Sequence, residues 1–379
     1  MTISPKAFYE ALAAEGVEFL AGVPDSLLKE FCAYVDAALP PEQHIISANE
    51  GSAVGLAAGH YLATGHVPLV YMQNSGVGNA VNPLLSLADQ EVYGVPAVIM
   101  IGWRGAPGVK DEPQHVKQGR VTPALLSAME YPVRVLDGDE GEAIEAARWA
   151  VRTARETSAP VVLLVQKGAF GKAEAKRPAR EVPASWLTRE AAIALIAGAL
   201  PQSAIIVATT GMISRELYEQ RIGLGQDRSG DFLTVGSMGH ASQIALGIAS
   251  SRPDLQVVCL DGDGAVLMHM GGLASIGASD RGNILHVVLN NGAHDSVGGQ
   301  PTVAFQISLT GIAKACGYDL VEGPLETDAD IRQAVQAMTQ RPGRHFLEVR
   351  VQPGSRADLG RPKSTPAENK ALFMNRLKA

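Results

Sequence analysis

Two short stretches of the chain carry oxygen atoms of the kind that hold a hard cation. One is Gly262-Asp263-Gly264 and the other is Asn290-Asn291-Gly292, and each follows a short apolar run. The carboxylate of Asp263, the amide oxygen of Asn291 and, by spacing, the backbone carbonyl of Ala293 suit Mg2+, which completes its octahedron with phosphate oxygens and water. Such a ligand set implies a bound molecule carrying a diphosphate. Gly262 and Gly264 would let the backbone approach those phosphates, and N–H groups opening a helix at Ala265 would add a positive field. Either motif alone is a common turn. The pair, at the spacing of one βαβ unit, points to chemistry.

The elements that must position these residues are legible as apolar runs rich in Val, Ile and Leu at 68–72, 97–101, 160–165, 204–208, 256–260 and 284–289, alternating with longer helical patterns. Continuous apolar runs of this length are buried parallel strands covered by helices on both faces. The expectation is an α/β chain with mainly parallel, doubly wound sheets. Parallel strands run the same way, so Asp263 and Asn291 emerge at one carboxyl edge, where such sheets bind ligands.

Between Lys167 and Thr188 the sequence turns charged and rich in Pro and Ala, with no apolar period. Thr188 then offers an N-cap for a helix over 189–200, which Pro201 closes. The division expected is a first domain over 1–170, a linker over 171–187 and a second domain over 188–379, with no third, central domain.

Composition removes several classes of function. With 379 residues, 46% of them hydrophobic, the chain can bury a core in each domain. A net charge of −7 argues against a nucleic-acid partner, which needs clustered Lys and Arg. No apolar run is long enough to cross a membrane and no leader pattern opens the chain, so a soluble, cytoplasmic protein is expected. Cys32, Cys259 and Cys316 have neither metal-ligand spacing nor an even disulfide set and read as small buried apolar residues. The phosphate-loop lysine signature and a dinucleotide glycine fingerprint are both lacking, which weighs against a nucleotide-binding regulator.

A Gly-Asp-Gly followed some 25 to 30 residues later by Asn-Asn resembles the signature of the thiamine-diphosphate enzyme superfamily. The resemblance implies that Asp263, Asn291 and the carbonyl of Ala293 hold Mg2+ against the diphosphate of thiamine diphosphate. It implies a diphosphate-binding second domain and a pyrimidine-binding first domain, with the cofactor held across a subunit interface of a homodimer or homotetramer. The segment HIISANEGSAVGLAAGHYLATG resembles the activating glutamate motif and assigns Glu50 to proton exchange with the aminopyrimidine ring. VGSMGHASQIALGIA resembles the stretch whose large apolar residue bends the cofactor, here Met238. Beside it Ser237, Gly239 and the Thr209-Thr210-Gly211 turn can donate hydrogen bonds to diphosphate oxygens, Thr210 through its hydroxyl.

A polar loop is expected after a strand ending at Trp103. It would hold Arg104, Lys110, His115, Lys117 and Arg120 against only Asp111 and Glu112, a cation supply suited to a small polyanion. With Gly22-Val23-Pro24-Asp25-Ser26, QNSGVGN and NGAHDSVGGQPT, this segment resembles the family of phosphonopyruvate decarboxylases over nearly the whole chain. The resemblance implies loss of CO2 from 3-phosphonopyruvate to give phosphonoacetaldehyde, with Asp25, Ser26, Asn74, Ser75, Arg104, Lys110 and Lys117 about the substrate. Adjacent paired histidines are lacking, which leaves the protonation step unassigned; His115 and His294 are candidates because both fall in loops expected near the cofactor. Sulfopyruvate as substrate, a carboligase using the same chemistry, and a non-catalytic cofactor-binding subunit stand as alternatives.

Overall fold

Six parallel strands, β1 (Leu20–Gly22), β2 (His44–Ile46), β3 (Leu69–Gln73), β4 (Ala97–Gly102), β5 (Val133–Leu136) and β6 (Pro160–Val165), make one sheet in the order β2-β1-β3-β4-β6-β5. Strands β4 and β6 are buried along their whole length, as unbroken apolar runs must be at the centre of a sheet covered on both faces. Around them lie α1 (Pro5–Ala14), α2 (Lys29–Ala38), α3 (Glu50–Thr64), α4 (Val77–Pro83), α5 (Pro113–Ala128) and α6 (Glu140–Thr157). Separate apolar clusters form on the two faces of the sheet. In this computed structural model residues 2–174 and 180–378 are described, and the strands above belong to the first of two compact units, residues 1–179 and 180–379.

The second unit repeats the plan. Strands β8 (Ile205–Ala208), β9 (Asp231–Leu233), β10 (Val257–Gly262), β11 (Asn283–Asn290), β12 (Leu320–Leu325) and β13 (Gly343–Gln352) are ordered β12-β13-β11-β10-β8-β9, and the short β7 (Leu187–Thr188) pairs with the end of β13. All the pairings between strands are parallel, in both sheets. The helices are α7 (Arg189–Ala199), α8 (Met212–Gly223), α9 (Ala241–Ser251), α10 (Asp263–Met268), α11 (Gly271–Gly277), α12 (Leu309–Ala315), α13 (Asp328–Thr339) and α14 (Pro366–Lys378). The two doubly wound α/β units are those expected, and no third unit is present among the described residues.

Thr188 caps α7, its hydroxyl accepting from the N–H of Ala191 at 3.2 Å. Of the expected linker, residues 175–179 lie outside the described residues, and its last residue, Leu187, is in β7. Cys32 and Cys259 are buried and Cys316 is half-buried, all as free thiols. No helix among the described residues is long and apolar enough to cross a membrane. The register of β10 on β11 sets Cys259 opposite His286 and Gly262 opposite Leu289, so the residues that follow, Asp263 and Asn290-Asn291, leave the sheet side by side.

Candidate active site

In the first unit the chain reverses direction across the sheet between β1 and β3, the switch point where an α/β sheet opens a crevice at its carboxyl edge. Glu50 opens α3 there. Asn49 caps that helix, accepting the N–H of Ser52 at 2.9 Å, which fixes where the helix begins and so where Glu50 sits. The Glu50 carboxyl is only 4% exposed and accepts one side-chain hydrogen bond, from Asn79 Nδ2 to Oε2 at 2.8 Å. Burial raises its pKa above the ordinary value against the opposing effect of Asn79. Its other oxygen faces Gly76, where a Cβ would lie 2.1 Å from Oε1.

Asp25, Ser26, Asn74 and Arg104 meet at the same edge. Asp25 is fully buried and accepts from Gln73 Nε2 at 2.5 Å and from the Leu27 N–H at 2.8 Å. Burial raises its pKa too. Asn74 is clamped by the backbone of Arg104, donating to its carbonyl at 2.9 Å and accepting its N–H at 3.1 Å, and its amide also donates to Thr122 Oγ1 at 3.0 Å. Ser75 is exposed and donates to Gln73 Oε1 at 2.7 Å. The Arg104 guanidinium donates to Ser26 Oγ through Nη1 at 2.8 Å and to Asp111 through Nε at 2.7 Å and through Nη2.

The expected cationic loop is therefore corrected. The loop ends at Glu112, and Pro113 opens α5, which carries His115, Lys117 and Arg120. Pro at the first helical position was the available signal. Lys110, Lys117 and Arg120 are exposed, and the charge of Arg104 is already matched by Asp111, whose carboxyl lies well below its usual range because the Arg104 pairing and backbone donors outweigh burial. His115 is buried in the first turn of α5, its pKa lowered by burial and then by Arg104.

In the second unit the corresponding edge lies at the ends of β8, β10 and β11. Asp263 is 2% exposed and accepts from the Thr302 hydroxyl and the Asn291 N–H. Burial is the main cause raising its pKa, to about 6. Asn291 follows on β11 and Ala293 forms an antiparallel bridge with Pro301. The helix expected to open at Ala265 begins at Asp263 and runs six residues. Gly264 is crowded, since a Cβ there would lie 3.1 Å from the His294 ring and 3.5 Å from Met238 Cε, so Met238, Gly264 and His294 are neighbours. At Gly262 a Cβ would meet only Ile213 at an ordinary 3.5 Å, so packing within the chain does not demand glycine there. Burial lowers the His294 pKa to about 4, leaving the ring neutral at physiological pH.

The turn before α9 closes this edge. Thr210 Oγ1 accepts the Gly236 N–H at 2.9 Å, Ser237 holds a left-handed φ of 52°, and Gly239, at φ 84°, packs on His269 of the segment after α10. His240 and His269 meet there with ring centroids 4.4 Å apart, a pair of histidines distant in sequence that sequence spacing could not reveal. Also unforeseen was Arg189, which reaches across the unit to Glu216 and to Asp295 beside Asn291.

Residues 5–127 match the family model described as thiamine pyrophosphate enzyme, N-terminal TPP binding domain, and residues 220–349 the one described as thiamine pyrophosphate enzyme, C-terminal TPP binding domain. The class is thus a thiamine pyrophosphate enzyme with both of its binding domains. The chain is 39% identical to the phosphonopyruvate decarboxylase of Streptomyces viridochromogenes, over 94% of this chain and 90% of that one. It is 37% identical to the phosphonopyruvate decarboxylase of Streptomyces hygroscopicus, over 97% and 92%. The sulfopyruvate decarboxylase of Methanosarcina acetivorans is 28% identical over 91% and 90%. The chain belongs to the phosphonopyruvate decarboxylase family.

Proposed function

We propose that this enzyme decarboxylates 3-phosphonopyruvate to phosphonoacetaldehyde and CO2, with thiamine diphosphate and Mg2+ as cofactors. The observation that carries the reading is a pair of separately built carboxylates. Glu50 is buried at the carboxyl edge of one sheet and Asp263 at that of the other, each with an oxygen to which no side chain among the described residues donates.

The residues present fit the cofactors. Asp263, Asn291 and the Ala293 carbonyl are a hard oxygen set for Mg2+. Glycine at 262, where packing does not require it, leaves the backbone open to a diphosphate. Thr210, Ser237, Gly239, Gly264 and Ala265 would line the diphosphate, with Met238 to support the bent form. When bound, thiamine diphosphate supplies the electron sink that lets a carboxylate leave as CO2.

The chain's own part is to hold protons and exclude water. Glu50, biased by burial towards its protonated form, exchanges a proton with the aminopyrimidine nitrogen. Arg104, fixed by Asp111 and Ser26, is the cation offered to the phosphonate, with Asn74 holding its backbone in place, Asp25 beside Gln73 on the same edge, and Ser75, Lys110 and Lys117 at the rim. His294 lies beside Met238 and Gly264, and burial lowers its pKa to about 4; burial and then Arg104 lower that of His115, and these two rings are the candidates for proton transfer at the reacting carbon.

The cofactor is held between Glu50 of one protomer and Asp263 of another, so the working unit is at least a dimer. Support comes from α3 itself, whose outward face carries exposed Ser52, Gly55, Leu56, Gly59 and Leu62, a surface that suits close approach of another protein. The test is Glu50→Gln. It should retain Mg2+-dependent cofactor binding while turnover falls by about 10²–10⁴-fold, the range for losing an essential proton transfer. Near wild-type turnover would end the assignment.

A further inference from the structure

We infer that Asp295 and Arg189 are positioning residues that aim the amide oxygen of Asn291 at the divalent cation. The inference rests on the reading of Asn291 as a metal ligand.

An asparagine can offer either end of its amide, and only the oxygen ligates a hard cation. Asp295 decides which. Its Oδ2 accepts from Asn291 Nδ2 at 2.7 Å, and an ionised carboxylate can only accept, so the NH2 end is committed to Asp295 and Oδ1 must face the other way. There Oδ1 accepts the Ala293 N–H at 3.0 Å, which uses one of its two lone pairs and leaves the second for an ion.

Asp295 is itself fixed from two more directions. The same Oδ2 accepts from Arg189 Nη1 at 2.6 Å and from the Gly354 N–H at 2.9 Å. Arg189 is 4% exposed and binds Glu216 through Nε at 2.8 Å and Nη2 at 2.9 Å, with Nη2 also reaching the Gly354 carbonyl at 3.2 Å. The start of α7, the body of α8, the loop after β11 and the loop after β13 therefore converge on one amide. Asp295 lies close enough to Asp263 for the two carboxylates to act on one another, and a divalent cation at Asp263 and Asn291 would relieve that repulsion.

Groups that orient a metal ligand from behind typically change metal affinity by about 10–100-fold when removed. The experiment titrates Mg2+ into full-length protein with thiamine diphosphate and follows cofactor binding by calorimetry, alongside the thermal midpoint without metal. Asp295→Asn, nearly isosteric, should raise the Mg2+ half-saturation about 10-fold or more with little change in the metal-free midpoint. Arg189→Lys, which keeps the buried charge but loses the fork, should raise it less. In an Asn291→Ala background, already weakened, Asp295→Asn should add nothing, because its effect passes through that amide. A shift in Asn291→Ala with none in Asp295→Asn or Arg189→Lys would overturn the positioning role and leave the ligand reading intact. Additive losses in the double variant would also overturn it, and no shift even in Asn291→Ala would remove the ligand reading itself.

Discussion

Gly76→Ala isolates the position of one carboxylate. The glycine sits after β3 at φ −82° and ψ −12°, a conformation alanine adopts freely, so the backbone itself gains about 0.5–1 kcal/mol from the substitution. The new Cβ would lie 2.1 Å from Glu50 Oε1, 2.4 Å from Cδ and 2.6 Å from Cγ, where real Cβ contacts stay beyond 3.0 Å. The carboxyl must retreat by about 1 Å, and misplacement on that scale costs on the order of 10²-fold in rate. Steady-state turnover at saturating Mg2+ and thiamine diphosphate, with cofactor affinity and thermal midpoint measured in parallel, reads the effect. A roughly 10²-fold fall in kcat with a folded, cofactor-binding protein is expected. Turnover within about twofold of wild type would refute the claim that Glu50 acts from this position.

Asp263→Ala removes the carboxylate proposed to hold Mg2+, and Mg2+-dependent retention of thiamine diphosphate should fall by more than the roughly 10–100-fold typical of a partner behind a ligand; unchanged affinity in a Mg2+ titration would contradict it. Arg104→Lys loses the fork shared by Asp111 and Ser26, so KM for a doubly charged 2-oxo acid should rise about 10–100-fold, the value of a charge-assisted hydrogen bond, with cofactor affinity unchanged. A proportional rise for uncharged 2-oxo acids would show that the residue does not read the head group. Asp319 is held at a pKa of about 2 by its hydrogen bonds to Arg344, so its ionised form favours the fold above about pH 4 and that contribution fades as pH falls towards 2. Asp319→Asn should lower the urea midpoint at pH 7, with the gap to wild type closing below about pH 4; a gap independent of pH would rule out the charge as its source.

The central strands were legible because nothing interrupts them. Pro160–Val165 is a bare apolar run, and the expected strand matches it end to end. By contrast β13, the longest strand, carries Arg344, His345, Glu348 and Arg350, and its charges pair with groups brought from elsewhere, Arg344 with Asp319 and Glu348 with Asn290. Tertiary partners make that strand possible, so no local pattern announces it. Short strands such as Leu20–Gly22 have too few residues for a period to register.

The site divides in the same way. Asp263 and Asn291 were visible because two neighbouring parallel strands fix their relation through local spacing. Residue type and position in the loop suggested free cations at 104–120, but not the salt bridge from Arg104 to Asp111 or the helix that Pro113 begins. Arg189 lies 106 positions from Asp295 and looked like an ordinary first residue of a helix. Only the sheet order brings the two together.

The most direct test of the account is CO2 release by the purified protein with Mg2+ and thiamine diphosphate, offered phosphonopyruvate, sulfopyruvate and pyruvate side by side, with and without an added aldehyde. The account predicts rapid release from phosphonopyruvate, phosphonoacetaldehyde as product, and little turnover of the other two. Preference for sulfopyruvate would contradict the head-group assignment. A ligated product with the aldehyde would make the protein a carboligase, and no release from any of the three would contradict the decarboxylase reading itself.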